Sequence, residues 1–269
     1  MSRFIEPAEV SGFSGRIFDC RYALTDPHAG RAAYDAGHIP GALHLDLGSD
    51  LSGPVDRHGG RHPLPPTRAF AATLARAGVD LATPVLLYDD SQGLFAARAW
   101  WMLDALGYGP VQLLRGGFAA WRAQGGEPGT SVPTFDPCPV PAVAERWPAS
   151  CPREELAGRQ ARGAVLVDAR EAPRYRGEVE PIDPVAGHIP GARNLPWSDL
   201  AGDAGLVDAD RQRSRWGDLL QADELVVYCG SGVSACVNLL SLKELGYTAA
   251  TLYPGSWSDW CSYLEPEGA

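Results

Sequence analysis

Residues 37–42 read GHIPGA, and residues 187–192 read GHIPGA again, 150 positions further on. Working outward from this pair, other segments recur in the same order. IFDCR ends at Arg21 and LVDAR at Arg170; VLLYD ends at Asp89 and LVVYC at Cys229. LDALGYGPVQLL (103–114) matches LKELGYTAATLY (242–253), and RGGFAAW (115–121) matches PGSWSDW (254–260). Collinear matches of this kind mean a tandem duplication, and a repeat of this sort decides the fold before any single element does. Between the copies, GGEPGTSVPTFDPCPVP (125–141) is rich in Pro and Gly and has little periodicity, so it reads as a linker. The expected organisation is an N-terminal domain over residues 1–135, a linker over 136–148 and a C-terminal domain over 149–269.

Each half alternates short apolar runs (VLVDAR, VLLYD, LVVYC) with helical segments such as RAFAATLARAG and SACVNLLSLKELGY, whose apolar residues recur at i, i+3, i+4 and i+7. That alternation predicts an α/β fold, with a mostly parallel sheet flanked by helices in each of two tandem domains. In such sheets function gathers where the strands end and helices begin.

Composition narrows the function. The chain has 269 residues with 45% apolar and 21% charged side chains, ordinary values for a folded domain. Its formal net charge of −10, with no basic run, argues against nucleic acid as a partner. No run approaches the ~20 apolar residues that cross a bilayer, and MSRFIEPAEVSGF lacks the apolar core of a secretion signal. No membrane association and a cytoplasmic location are therefore expected. In that compartment the six cysteines, none in a CxxC pair, read as free thiols.

One of the six stands in a special place. In LVVYCGSGVSACVNLL an apolar strand runs into Cys229, the loop Gly230–Ser231–Gly232–Val233–Ser234 follows, and an amphipathic helix is expected from about Ala235. Glycines permit a curl that turns backbone N–H groups inward, and a helix N-terminus adds partial positive charge. Both favour an anion, here the Cys229 thiolate, and a thiolate is a nucleophile. The corresponding position of the first copy is Asp89, so one half carries a nucleophile and the other does not. The remaining cysteines read as core or plain surface residues. His38 and His188, present in both copies, read as structural.

On GHIPGA in both halves, the Cys229 loop and LYPGSWSDW near the C-terminus, the chain resembles the tandem-domain rhodanese-type sulfurtransferases over essentially its whole length. Asp259 stands where that family usually has Glu. The resemblance implies a cysteine that takes up a sulfane sulfur as a persulfide and passes it to cyanide or a thiol, a thioredoxin-like protein among the candidate acceptors. It implies an active site in a cleft between the domains, with neither metal nor organic cofactor. CGSGVS resembles the 3-mercaptopyruvate type of loop, whose terminal Thr is Ser234 here, rather than the basic loop of thiosulfate-preferring enzymes. Within that type, Ser231 and His62 (in GGRHPLP) are implied to move a proton and Arg174 to bind the donor's anionic group. Gly230, Gly232, Val233 and Ser234 are implied to line the substrate cradle. The family's acid aligns near Gly48, flanked by Asp46 and Asp50. Its second arginine falls where this chain is shorter and reads PID, which leaves Arg61 or Arg176 to supply the charge.

Two other classes compete. Cysteine phosphatases and arsenate reductases typically need an arginine six residues after the cysteine, where this chain has Ala235. A non-catalytic interaction module suits the first half but not a half that carries Cys229. Thiosulfate:cyanide sulfur transfer is the nearest alternative to mercaptopyruvate.

Overall fold

The computed structural model describes residues 3–202 and 205–264. The chain forms two compact units. One takes in the chain up to Gly53 and Leu64–Pro148; the other takes in Pro54–Pro63, Ala149–Gly202 and the chain from Leu206 onward. The segment bearing Arg61 and His62 thus belongs to the same unit as Cys229.

The first unit holds β1 (Phe4–Ile5), β2 (Arg16–Asp19), α1 (Ala29–Ala36), β3 (Ala42–His44), α2 (Thr67–Arg76), β4 (Val85–Tyr88), α3 (Leu94–Ala105), β5 (Val111–Leu114) and α4 (Gly117–Ala123). Its strands run parallel in the order β1-β5-β4-β2-β3. The second holds α5 (Arg153–Ala161), β6 (Val165–Asp168), α6 (Ala172–Tyr175), β7 (Arg193–Asn194), α7 (Ala209–Trp216), β10 (Leu225–Tyr228), α8 (Ala235–Glu244), β11 (Ala250–Leu252) and α9 (Ser256–Cys261). Its sheet is parallel in the order β11-β10-β6-β7. The two-residue strands β8 (Ala201–Gly202) and β9 (Gly205–Leu206) belong to neither sheet. The sequence expectation of two α/β domains, each with a parallel sheet flanked by helices, is met.

The central strands explain the apolar runs. All four residues of β4 and all four of β10 are buried, as parallel strands covered on both faces must be. Each fully buried Leu or Val contributes roughly 1.5–3 kcal/mol. The expectation for α8 was an amphipathic helix, but Ala235–Leu242 are all buried. Its polar members are bonded instead: Asn238 Nδ2 donates to Leu195 O (3.0 Å) and Ser241 Oγ to Gln212 Oε1 (2.7 Å). A helix covered on every side has no solvent face for a periodic pattern to mark, so periodicity said little there.

The GHIPGA repeat is a clip in each unit. His38 stacks on Tyr34 and its Nδ1 lies 2.8 Å from Tyr34 O; His188 does the same with Tyr175. The N–H groups of Ile39 and Ile189 donate to the hydroxyls of Tyr88 and Tyr228, the last residues of β4 and β10. The motif thus braces the strand ends from which the Asp89 and Cys229 loops leave.

Candidate active site

Cys229 follows β10 directly and is buried. The chain then turns through 230–234 into α8. Gly232 sits at φ +76°, the left-handed region glycine enters without penalty. The Ser234 hydroxyl and the backbone N–H groups of Ala235, Ser231 and Gly232 bond the Cys229 sulfur. Burial alone raises a thiol's pKa; here those hydrogen bonds outweigh it and hold Cys229 below its ordinary value. Burial pushes Cys20, Cys151 (to about 11) and Cys261 the opposite way. The donors at this sulfur are thus Ser231, Gly232, Ser234 and Ala235, the last a helix N-terminal amide that the sequence reading left out.

The start of α9 holds the loop from behind. The Cys229 N–H donates to Ser256 Oγ (3.1 Å), the Trp257 N–H to Cys229 O (3.0 Å) and the Ser258 N–H to Gly230 O (2.9 Å). Ser256 reaches this position at φ +57°, uncommon for a residue with a side chain. Neither Ser256 nor Ser258 was singled out in the sequence, because nothing local marks a serine as a brace for a loop 27 residues earlier.

Pro54–Pro63 is tied to the same helix. The Gly59 N–H donates to Asp259 Oδ1 (2.7 Å), and Tyr253 OH donates to Asp259 Oδ2 (2.6 Å). The Arg61 N–H donates to Ser258 Oγ (3.1 Å). Gly60, at φ +83°, passes so near that a Cβ there would lie 2.4 Å from Gly255 O. This register sets His62 Nδ1 2.8 Å from Ser231 Oγ, a hydroxyl–imidazole pair two residues from the nucleophile.

The guanidinium groups of Arg61 and Arg174 flank the first loop residue. A Cβ on Gly230 would lie 3.1 Å from Arg61 Nη2 and 3.4 Å from Arg174 Nη1. Burial, and next the Arg174 charge, lower the Arg61 pKa from its ordinary value. Arg176 is placed elsewhere: it is exposed and paired with Glu178. Asp46 and Asp50 lie in the first unit, with local hydrogen bonds: the Asp46 N–H donates to Asp50 Oδ2 (2.9 Å) and Ser49 N–H to Asp46 Oδ1 (2.8 Å). Two carboxylates absent from the sequence reading do reach the arginines. Glu180 receives Arg174 through both oxygens (2.7 and 3.2 Å), and Asp183 bridges Arg61 and Arg174.

The arrangement gathers a thiol of lowered pKa, a hydroxyl–imidazole pair and two guanidinium groups paired with carboxylates around one loop. Among the described residues no cluster of three His, Cys, Asp or Glu side chains gathers around a metal position, and no helix is long and apolar enough to cross a membrane.

Comparison with known proteins agrees with the repeat. The model of the rhodanese-like domain matches twice, over residues 6–124 and 152–263. A probable 3-mercaptopyruvate sulfurtransferase of Pseudomonas aeruginosa is 46% identical, covering 91% of this chain and 88% of its own. A putative thiosulfate sulfurtransferase of Mycobacterium tuberculosis is 41% identical over 91% of this chain and 87% of its own. The solved 3-mercaptopyruvate sulfurtransferase from Leishmania major superposes with a TM-score of 0.86 at 34% identity, over 98% of this chain and 75% of that one.

Proposed function

The chain belongs to the rhodanese-like family as a tandem-domain sulfurtransferase, and from that premise we propose that Cys229 takes the sulfane sulfur of 3-mercaptopyruvate and hands it to a thiol or cyanide. The observation that carries the reading is the Cys229 sulfur itself, buried yet surrounded by three backbone N–H groups and the Ser234 hydroxyl, which hold its pKa below the ordinary thiol value. Such a cradle stabilises a thiolate before transfer and a persulfide anion after it.

In the forward step the Cys229 thiolate attacks the donor's thiol sulfur. An S–S bond forms, the carbon–sulfur bond breaks, and its electron pair passes to the pyruvate enolate. Protonation of that enolate at carbon completes the step. Ser231, hydrogen-bonded to His62, is the group we assign to that proton transfer. Arg174 and Arg61 receive the donor carboxylate, for which a guanidinium fork is well shaped. Gly230 leaves room beside both, while Gly232, Val233 and Ser234 carry the turn over the sulfur. In the second half-reaction the acceptor attacks the outer sulfur and Cys229 leaves as thiolate. The acceptor we assign is a small thiol, cyanide or a thioredoxin-like protein thiol, and the site of action is the cytoplasm.

The neutral CGSGVS loop and the Ser231–His62 pair favour mercaptopyruvate, whereas the mycobacterial relative is named a putative thiosulfate sulfurtransferase. Steady-state transfer to cyanide from each donor decides. A higher kcat/KM with mercaptopyruvate, abolished in Cys229→Ser, is the expected result. Preference for thiosulfate removes Ser231 and His62 from the chemistry, and activity surviving in Cys229→Ser overturns the mechanism.

A further inference from the structure

The cationic fork beside Cys229 is already occupied by the chain's own carboxylate. Asp183 lies in the PID segment, with a side chain only 3% exposed. One of its oxygens pairs with Arg61 Nη1 and the other lies 3.2 Å from Arg174 Nη2. Its N–H donates to Glu180 Oε1 (3.1 Å), which itself holds Arg174. Two arginines facing Asp183 and Glu180 leave the fork with no surplus positive charge. An incoming carboxylate must therefore add a negative charge to a neutral cluster or take one carboxylate's place.

The surroundings identify which carboxylate can leave. Glu180 is bound to Arg170 (3.3 Å) as well as to Arg174. Asp183, by contrast, borders a cavity of about 240 Å³ lined also by Arg57, Arg61, Ile182, Ser258 and Ser262. A rotation of Asp183 into that space turns its carboxylate from the fork towards Arg57, a further guanidinium among the lining residues.

We propose that Asp183 is a built-in competitor for the donor's carboxylate, a specificity-determining residue that bridges Arg61 and Arg174 in the free protein and swings into the adjacent cavity when a donor binds. The proposal rests on the assignment of this fork to the donor anion. It follows that monoanionic donors exchange one-for-one with Asp183. Dianions such as thiosulfate bring one charge more than the displaced aspartate removes, and are disfavoured.

The test uses Asp183→Asn and, as a second neutral variant, Asp183→Ser. Removing one charge from a half-buried fork lowers the KM for mercaptopyruvate by about tenfold and the KM for thiosulfate by more, with the change in KM rather than kcat. A KM that rises or stays put in both variants overturns the proposal, because Asp183 then merely holds the arginines in place. Pyruvate binding by calorimetry to Cys229→Ser, with and without Asp183→Asn, reads the same exchange without turnover and is expected to tighten. Should both variants fail to fold, the wild-type protein still answers: the Asp183 carboxyl resonance in ¹³C-aspartate-labelled protein shifts on saturation with pyruvate. A resonance that does not move while pyruvate binds overturns the exchange. Failure of wild type to use mercaptopyruvate is a separate result, which removes the donor assignment while the pyruvate titration still judges Asp183.

Discussion

Replacing Ser234 with alanine takes one hydrogen bond from the Cys229 sulfur and leaves the amide donors of Ser231, Gly232 and Ala235 in place. A hydrogen bond to a charged group is worth about 1.5–3 kcal/mol. At 1.36 kcal/mol per pKa unit, losing it raises the thiol pKa by about 1–2 units. The sign follows from which form is bonded: the hydroxyl stabilises the thiolate, so its loss favours the thiol and moves the titration to higher pH. The rate effect is smaller than the pKa change suggests. Below both midpoints each unit costs tenfold in thiolate, but the more basic thiolate is intrinsically about threefold more nucleophilic. The net loss in sulfur uptake is about 3-fold per unit, or about 3–10-fold in all. Thiolate absorbance against pH gives the midpoint, and single-turnover persulfide formation below it gives the rate. Ser234→Thr keeps the hydroxyl and should restore both. A midpoint unmoved by alanine, or moved equally by threonine, refutes the idea that this hydroxyl holds the anion.

Other perturbations separate the roles of neighbouring groups. Ser231→Ala and His62→Ala are each expected to lower kcat with mercaptopyruvate by about 10²-fold or more, and the double variant to lose little beyond either one, because a hydrogen-bonded relay fails as a unit; additive losses in the steady-state cycle contradict it. Arg61→Ala should raise the mercaptopyruvate KM by about tenfold, whereas Arg176→Ala, exposed and paired with Glu178, should leave it unchanged. Asp259→Ala strands the Gly59 N–H and the Tyr253 hydroxyl, so denaturant unfolding should show a loss of about 2–4 kcal/mol, with kcat/KM falling as the His62 segment loosens.

What could be read in the sequence follows chain locality. β10, the Cys229 loop and the N-terminus of α8 are contiguous, so strand, glycine turn and nucleophile stood in one line of text. Within that loop the two glycines divide the work: Gly232 carries the positive φ, and Gly230 gives room to two guanidinium groups. Residues brought together over long separations left no local signal. His62 and Ser231 are 169 positions apart, and only the family resemblance joined them. Arg61 and Asp183 are 122 apart, and nothing in PID announces that its aspartate would sit where an arginine was sought. The same holds for Asp259, which reads as a conservative replacement yet anchors the loop that carries Arg61 and His62.

The two copies also show why a single repeat suffices for the chemistry. After β4 the chain makes the same strand–loop–helix passage, and Asp89 stands where Cys229 stands in the other copy. Its carboxylate accepts the N–H groups of Ser91, Gly93, Phe95 and Ala96, all at 2.8–2.9 Å. Burial pushes the Asp89 carboxyl up, and those four bonds oppose it. Inward N–H groups at a helix start need an anion, and leaving them bare would cost about 1–3 kcal/mol each. The first unit meets that need with the buried carboxylate of Asp89; the second places the Cys229 sulfur there. Asp183 falls between these cases. Like Asp89 it satisfies binding groups with the chain's own carboxylate, but two arginines and a neighbouring cavity surround it instead of four fixed amides. An anion held in that way can be exchanged, and exchange is what a donor site requires.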